Sequence, residues 1–554
     1  MTGCAAPGCK NTSTKGFLLK RFPMDPKRRE IWAAAIQRPN LKPKTWSALC
    51  EVHFAADAWE KVRADGTRKL KISAVPTLAI QAVHNKQQDH STNPKIVPDP
   101  AVPSNFQTVE IEKSTDVTIN STSPPAIIQD STKHSERLKQ KMPLPIFRPL
   151  YPRLHVNCTS GIHEEIFNLL KNKFRSAEHE HQKECALVFD KMSITPGRVY
   201  DVSSDQYIGN VTLPGHDSVI ASHALVFMLT GITVRWKQIV AFYFTGDSIN
   251  GADLKPIILD VLEKAEVNGL RVTAVICDMG SVNQALWASF NINASRNSGV
   301  RNYIQHPIDR TRKLYFLADA PDLLVNLKTD LINDKIILLS KSTEEKYNLP
   351  TSAVQIKHLD DLINEQSNLT FLLSPKLKKE HLDSTSQYAK IKVNIAKNMF
   401  SRNVSTSLQL MAKLNKEDTF LTTAWFIEKI SDWYSLMSCR HPTFALSKHN
   451  MQKYNEATGI LNEVMDIFRD LQIGNKPSWK PLQTGILITT NSILHLAEYF
   501  LQQQALPFLL TSRLTQDCMK NLFSAIQAKQ PMPNAFQLQQ NLRFVSESQL
   551  MKDI

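Results

Sequence analysis

Ala186-Leu187-Val188-Phe189-Asp190 is a run of four apolar residues ending on an acid, and Val272 to Cys277, followed by Asp278, repeats the pattern farther along the chain. Short unbroken apolar runs between polar turns predict strands buried on both faces. The segments around them alternate in period. His163 to Phe174 has helical spacing, with Ile166, Leu169, Leu170 and Phe174 on one side. Tyr207 to Leu213 and Ile239 to Phe244 read as strands beyond turns, Ile257 to Ala265 and Ser281 to Phe290 as helices, Leu314 to Leu317 as a further strand, and Pro321 to Leu327 as the helix behind it.

Three strands, a helix, then alternating strands and helices is the order of an RNase H-like α/β core. In such a sheet the first and fourth strands are neighbours, so the carboxylates of Asp190 and Asp278 are expected to converge. Adjacent carboxylates repel unless a divalent cation sits between them. With a third acid they hold the Mg²⁺ pair that activates a nucleophile and stabilises the leaving oxygen in phosphodiester cleavage. Taken alone, an aspartate at a strand end is more often a turn former or helix cap, so the surrounding residues decide the matter.

The first eighty residues follow another logic. Four residues separate Cys4 from Cys9, 40 separate Cys9 from Cys50, and two separate Cys50 from His53. Three thiols and an imidazole satisfy a tetrahedral structural Zn²⁺ and leave no open position for a substrate. The long middle gap excludes a short finger hairpin. It suits a β-α-β unit with Trp32 and Ile36 on the buried side of its helix. A unit this small buries too little apolar surface alone, so the metal supplies much of its folding free energy.

With Pro23, Phe54 and the closing Ala74-Val75-Pro76, these residues resemble the THAP domain over about 1 to 81, the zinc-dependent DNA-binding module of P-element transposases and many animal regulators. The resemblance implies a partner, double-stranded DNA, and a set of contacts. Lys20 and Arg21 fall on the strand expected in the major groove; Arg68, Lys69 and Lys71 fall on the loop expected in the minor groove. Charge agrees: residues 1 to 81 carry fifteen Lys and Arg against six Asp and Glu, in a chain whose net charge is +14. Such density favours phosphate backbones through counterion release.

Composition bounds the rest. With 554 residues, 42% hydrophobic and 21% charged, the chain is long enough for two or three packed domains. Cys158, Cys185, Cys277, Cys439 and Cys518 lack the spacing of a disulfide framework and read as thiols in a reducing compartment. The longest apolar stretch, around Ala224 to Val234, is too short to span a bilayer, so no membrane partner is expected. A DNA-binding module makes the nucleus the expected location, with Lys27-Arg28-Arg29 a short basic run that helps little. Residues 82 to 140, rich in Ser, Thr, Asn, Asp and Pro, read as a disordered linker. The resemblance to P-element-type proteins implies a dimerising coiled coil near here, and with it a homo-oligomer, yet this segment holds no sustained apolar heptad.

Leu187-Val188-Phe189-Asp190-Lys191-Met192-Ser193-Ile194, Tyr207-Ile208-Gly209, Cys277-Asp278 with Asn283, Asp319-Ala320-Pro321 and the segment Thr511 to Ser524 resemble, in order, the catalytic core of P-element-type transposases. The resemblance implies an α+β multidomain chain: the zinc module 1–81, the linker 82–140, a first core part 141–334, an all-helical GTP-binding-like insertion 335–480, and a last part 481–554 that completes the core. It also implies Mg²⁺ and GTP as cofactors. Nothing in 335–480 is a Walker-type phosphate loop, so nucleotide binding rests on likeness alone.

The departures bear on function. Where the resembled helix carries its third metal-binding Glu, this chain has Lys520. An ammonium cannot coordinate Mg²⁺, and close to a dication it repels it by roughly several kcal/mol even at a surface-like dielectric. Lys191 stands where an acid is usual, and Asp322 and Val325 replace a His and a Lys. Asp517, one turn before Lys520, matches an acid of the nucleotide site, and Glu498 lies on the preceding helix; either is a conceivable substitute. Two readings follow: a catalytically inactive, domesticated transposase relative acting as a DNA-binding repressor or transcriptional regulator, and a working Mg- and GTP-dependent DNA transposase. A protein-binding scaffold stands behind them, with the basic first domain against it.

Overall fold

The computed structural model describes residues 4–77, apart from 7–8, 10, 13–14, 16, 24, 37–46, 56–57, 60–69 and 72–73. It further describes 158–551, apart from 176–178, 203, 214–218, 248–249, 367–371 and 384–392. The linker expected over 82–140 lies outside the described residues. The chain divides into two compact units, Met1–Ile128 and Gln129–Ile554.

In the first unit, β1 (Leu19–Arg21) pairs antiparallel with β2 (Ala48–Cys50), Leu19 opposite Cys50. Between them runs α1 (Pro26–Ala35), whose N-cap Asp25 accepts from the Arg28 amide at 3.2 Å. Phe22, Trp32, Phe54 and Trp59 form its small core, and the rings of Trp32 and Phe54 stand 4.9 Å apart. Trp32 Nε1 donates to the Ala74 carbonyl at 2.9 Å, tying the closing segment to the helix. This is the β-α-β unit that the ligand spacing predicts.

The second unit opens with β3 (Gly161–Ile162) and α2 (Glu164–Phe174), whose Ile166, Phe167, Leu170 and Phe174 are buried. Then come β4 (Glu184–Ser193), the hairpin β5 (Val199–Asp201) and β6 (Gln206–Ile208), β7 (His223–Gly231), β8 (Lys237–Thr245), α3 (Gly251–Val267), β9 (Arg271–Cys277), α4 (Ser281–Ser289), β10 (Tyr303–Gln305), β11 (Lys313–Ala318) and α5 (Ala320–Asp334). Seven strands make one sheet in the order β10-β11-β9-β4-β7-β8-β3. Its parallel pairs are β4 with β9 and β9 with β11; α3 leads into β9, and α4 lies between β9 and β11.

The second long strand of this sheet is not Tyr207 to Leu213, as expected from the sequence, but β7. Tyr207 is 70% exposed, and among the described residues its strand pairs with β5 in a separate two-stranded hairpin. β7 is buried from Ala224 to Gly231, because a central strand is covered on both faces and needs unbroken apolarity. A second difference concerns Asp190. It lies inside β4, opposite Val226 of β7, and not at the strand's end.

The segment after α5 is not all-helical as expected over 335–480: among the described residues it also holds a small antiparallel sheet, β13-β12-β14, made by β12 (Ile336–Leu338), β13 (Ala353–Gln355) and β14 (Gln472–Ile473), strands of two or three residues too short to leave a period in the sequence. Between these strands lie α6 (Lys341–Lys346), α7 (Ile356–Gln366), α8 (Val393–Met399), α9 (Arg402–Asn415), α10 (Thr419–Met437) and α11 (Met451–Asp470). The chain then returns through α12 (Pro481–Glu498), which lies on β11: Ser492 Oγ donates to the Phe316 carbonyl at 2.7 Å, and Thr489 Oγ1 accepts from the Ala318 amide at 2.8 Å. A Cβ on Gly485 would meet Leu323 Cδ2 at 2.6 Å, so glycine is what lets α12 approach α5. Finally α13 (Asp517–Lys529) and α14 (Ala535–Leu550) close the core, α14 accepting the Ile239 amide of β8 on Gln549 Oε1 at 2.9 Å. No described helix is long and apolar enough to cross a membrane.

Candidate catalytic centre and zinc cluster

Cys4, Cys9, Cys50 and His53 bring one ligand atom each within 4.8 Å of one another. β2 delivers Cys50 and the 3-10 turn Glu51–His53 delivers His53, while the Cys4 strand bridges to Ala48. Cys9 Sγ and Cys50 Sγ stand 3.7 Å apart, the Cys50 amide donates to Cys4 Sγ at 3.3 Å, and Asn11 Nδ2 donates to Cys50 Sγ at 3.3 Å. The hydrogen bond from Cys50 draws the Cys4 pKa down; the same bond, and then burial, pushes Cys50 up to about 11. Three soft sulfur donors and an imidazole fit a structural zinc ion, which would hold all three as thiolates. His53 is 1% exposed, which suits a closed site and not one that admits substrate.

Of the residues expected to touch DNA, Arg21 is exposed on β1 and Lys71 is exposed on the segment before Ala74. Lys20 is half-buried, its ammonium 5.5 Å from the Trp59 ring centroid, a cation-π distance. Arg68 and Lys69 lie outside the described residues.

In the second unit β4 and β9 run parallel, and their last pair is Val188 with Ile276. Asp190 and Asp278 each stand two residues beyond that pair, so the register carries both carboxylates to the same edge. Asp278 Oδ1 accepts from the Gly280 amide at 2.8 Å and from Asn283 Nδ2 at 2.5 Å. Asp190 accepts from the Lys191 amide at 2.7 Å. Burial, and beyond it the charges of Asp278 and Asp322, push the Asp190 carboxyl up to about 7.

Across from them, Asp319 caps α5 and is fully buried. Its Oδ1 accepts from the Gln516 amide at 2.7 Å, and Gln516 Nε2 donates to the Phe189 carbonyl at 2.7 Å, one residue before Asp190. Lys520, on the first turn of α13, places Nζ 2.6 Å from Asp319 Oδ2 and 2.5 Å from Asp322 Oδ1. Burial works against the Lys520 charge, but the two carboxylates outweigh it and raise its pKa. Burial drives Asp319 up to about 6 even though Lys520 opposes the shift. The candidate catalytic edge thus holds a cation clamped between two acids where a third metal ligand is expected. Mg²⁺ does not suit this donor set as it stands.

The two alternative acids face other groups. Asp517 accepts from Arg440, which lies just beyond α10. Glu498 is exposed and acts on Tyr315, Tyr454 and His495 at the far edge of the sheet. The sequence pattern does not single out Asp319 and Asp322 as the partners of Lys520. One signal was available: where the resembled family has a His and a Glu, this chain has Asp322 and Lys520, opposite changes of charge.

Comparison with known proteins bears on the whole arrangement. Residues 4–79 match the model of the THAP domain, 158–291 that of the TNP-like RNase H N-terminal domain, and 339–450 that of the TNP-like GTP-binding insertion domain. The Transposable element P transposase of Drosophila melanogaster is 25% identical over 400 residues, 71% of this chain and 48% of that protein. The chain is a THAP-domain homologue of the P-element transposases. The Drosophila P element transposase strand transfer complex shares its fold, with a TM-score of 0.60 and 20% identity, over 76% of this chain and 90% of that one. Human THAP domain-containing protein 1 is 34% identical over 104 residues, 18% of this chain and 48% of that protein. This P-element homologue therefore spans about half the length of the curated relatives it matches. The THAP match contains all four residues of the candidate zinc cluster, the RNase H match contains Asp190 and Asp278, and the insertion match contains Arg440.

Proposed function

We propose that this protein is a zinc-dependent, sequence-specific DNA-binding protein of the nucleus, derived from a P-element-like transposase, that no longer cleaves DNA and acts as a repressor or transcriptional regulator. The observation that carries the loss of cleavage is the clamp of Lys520 between Asp319 and Asp322. A cation at that position disfavours a metal pair by direct repulsion, and removing it leaves a buried carboxylate. Support for the DNA half comes from the zinc-ligand cluster and from the basic charge of residues 1–81, with Arg21 and Lys71 exposed. A chain that binds a DNA element without cutting it acts by occupying it. The proposed layout is the zinc module 1–81, a tether 82–140, core parts 141–334 and 481–554, and an insertion 335–480. Oligomerisation is left to measurement.

The test uses the full chain. A duplex is first selected from a random library, and the protein is then incubated with that duplex, Mg²⁺ and GTP. Binding without strand scission is the expected result. Scission that vanishes in Asp190→Ala would overturn the proposal and favour the second reading, an active Mg- and GTP-dependent transposase. That reading draws its support from Asp190 and Asp278, which keep their register at one sheet edge.

A further inference from the structure

A cavity of about 700 Å³ opens among the β7–β8 turn, α2, the segment leading into α13, and α14. Thr230, on its wall, pairs with Ala186, four residues before Asp190 in β4, so about 13 Å of strand separates it from the candidate catalytic edge. The lining carries five cations, Lys173, Arg235, Lys237, Arg440 and Arg513, against one acid, Asp517, whose carboxylate is already taken by Arg440. Arg513 donates through Nη1 to the Ile232 carbonyl at 2.9 Å and to that of Thr233, which fixes the guanidinium without matching its charge. Among the described residues no carboxylate pairs with Arg235, Lys237 or Arg513. Burial, and after it the Arg235 charge, lower the Arg513 pKa.

Two buried side chains complete the lining. Thr230 is 6% exposed and Gln549 5% exposed, and among the described residues neither Thr230 Oγ1 nor Gln549 Nε2 has a hydrogen-bond partner. Gln549 cannot be turned to hide its amide, because Oε1 accepts the Ile239 amide at 2.9 Å. Its Nε2 is thus left as a donor. Thr230 is the cross-strand partner of Lys237, which puts hydroxyl and ammonium on one face. Buried donors without acceptors are uncommon and point to a bound group. What is missing is an anion with several acceptor oxygens.

We propose that this cavity is a phosphate-binding site, with Thr230 and Gln549 donating to phosphate oxygens and Arg235, Lys237 and Arg513 supplying the charge. Two sources share that chemistry, a nucleic-acid strand and a free polyphosphate. The full chain is titrated with inorganic tripolyphosphate by calorimetry and with a labelled single-stranded oligonucleotide of mixed sequence by anisotropy. The wild type is compared with the double variant R235E/K237E and with Thr230→Val, a near-isosteric change that removes only the hydroxyl. Tripolyphosphate affinity is expected to fall about tenfold or more in the double variant and several-fold in Thr230→Val, with the melting temperature of the free chain unchanged. If a strand is the source, oligonucleotide affinity falls in parallel in the double variant and its salt dependence flattens by about one or two phosphate contacts. If a free polyphosphate is the source, oligonucleotide affinity does not move. No binding of tripolyphosphate, equal affinity in all three proteins, or a loss in the double variant alone would overturn the assignment, the last because it reflects surface charge and not the cavity.

Discussion

The Lys520 ammonium stands 2.6 Å from the buried carboxylate of Asp319. Asp319 is held from its other oxygen by the Gln516 amide, and Gln516 in turn holds the Phe189 carbonyl of β4. The ion pair is therefore built into the packing of α13 against the strand that carries Asp190. Its removal has consequences both for stability and for the ions the edge can accept.

Lys520→Met leaves Asp319 buried without its counter-charge, and breaking one side of such a pair costs on the order of 3–5 kcal/mol. Adding Asp319→Asn, which keeps the shape and removes the charge, should restore most of that loss. Urea unfolding of the two single variants and the double variant gives a coupling energy. A coupling near zero would show that the pair contributes nothing and that the clamp is incidental.

Lys520→Glu exchanges the repelling cation for a ligand. Mn²⁺ at millimolar concentration is expected to raise the melting temperature of this variant by several degrees and to leave the wild type unmoved, because a ligand that binds only the folded chain stabilises it by mass action. A wild-type shift as large as that of the variant would mean that Asp190 and Asp278 hold metal in spite of Lys520.

The Asp190 carboxyl, at about 7, lies above its unfolded value. The folded chain therefore binds this proton more tightly than the unfolded one. The associated stability is present below about pH 4 and is lost as pH rises towards 7. Asp190→Asn removes the titration. Relative to the wild type, the variant should gain stability between pH 4 and pH 8 by about 2–3 kcal/mol, after allowing for partial exposure. A difference that is flat with pH would place the Asp190 pKa near the ordinary carboxylate range.

Much of the fold was legible because its strands are apolar and end near acids. Ala186 to Phe189 and Val272 to Cys277 locate β4 and β9 and, through them, both aspartates. β7 was harder: its apolarity from Ala224 onward resembles a membrane candidate cut short, whereas Tyr207, Gly209, Val211 and Leu213 alternate like a half-exposed strand. Only pairing partners separate these cases. The cluster of Cys4, Cys9, Cys50 and His53 was legible because ligand chemistry restricts residue type as well as spacing. Lys520 was legible as an anomaly, but its partners were not, since 198 residues separate it from Asp322 and only the sheet brings them together. Thr230 and Gln549 carry no pattern at all, because an unpartnered donor is a property of packing.

Zinc removal offers a separate test of the first unit. Chelation should unfold the module, since three thiols and His53 then have no common ion and its core is small. Selection of any DNA motif by the full chain is expected to disappear with it, while the second unit keeps its own melting transition. Cys50→Ser should behave as the chelated wild type. Equal motif enrichment with and without zinc would sink the zinc assignment.

Base reading and backbone binding should separate between Arg21 and Lys71. Arg21 is exposed on β1, the strand expected at base edges, while Lys20 beside it lies over the Trp59 ring and has its stem committed to packing. Arg21→Ala is therefore expected to weaken the selected duplex by about 1–3 kcal/mol and to relax preference at one or two base positions. Lys71→Ala should weaken all duplexes alike and lower the salt slope by about one. Competition between selected and scrambled duplexes at three salt concentrations distinguishes the two effects. If Arg21→Ala weakens both duplexes equally, β1 contacts phosphates only, and sequence must be read from another element of the module.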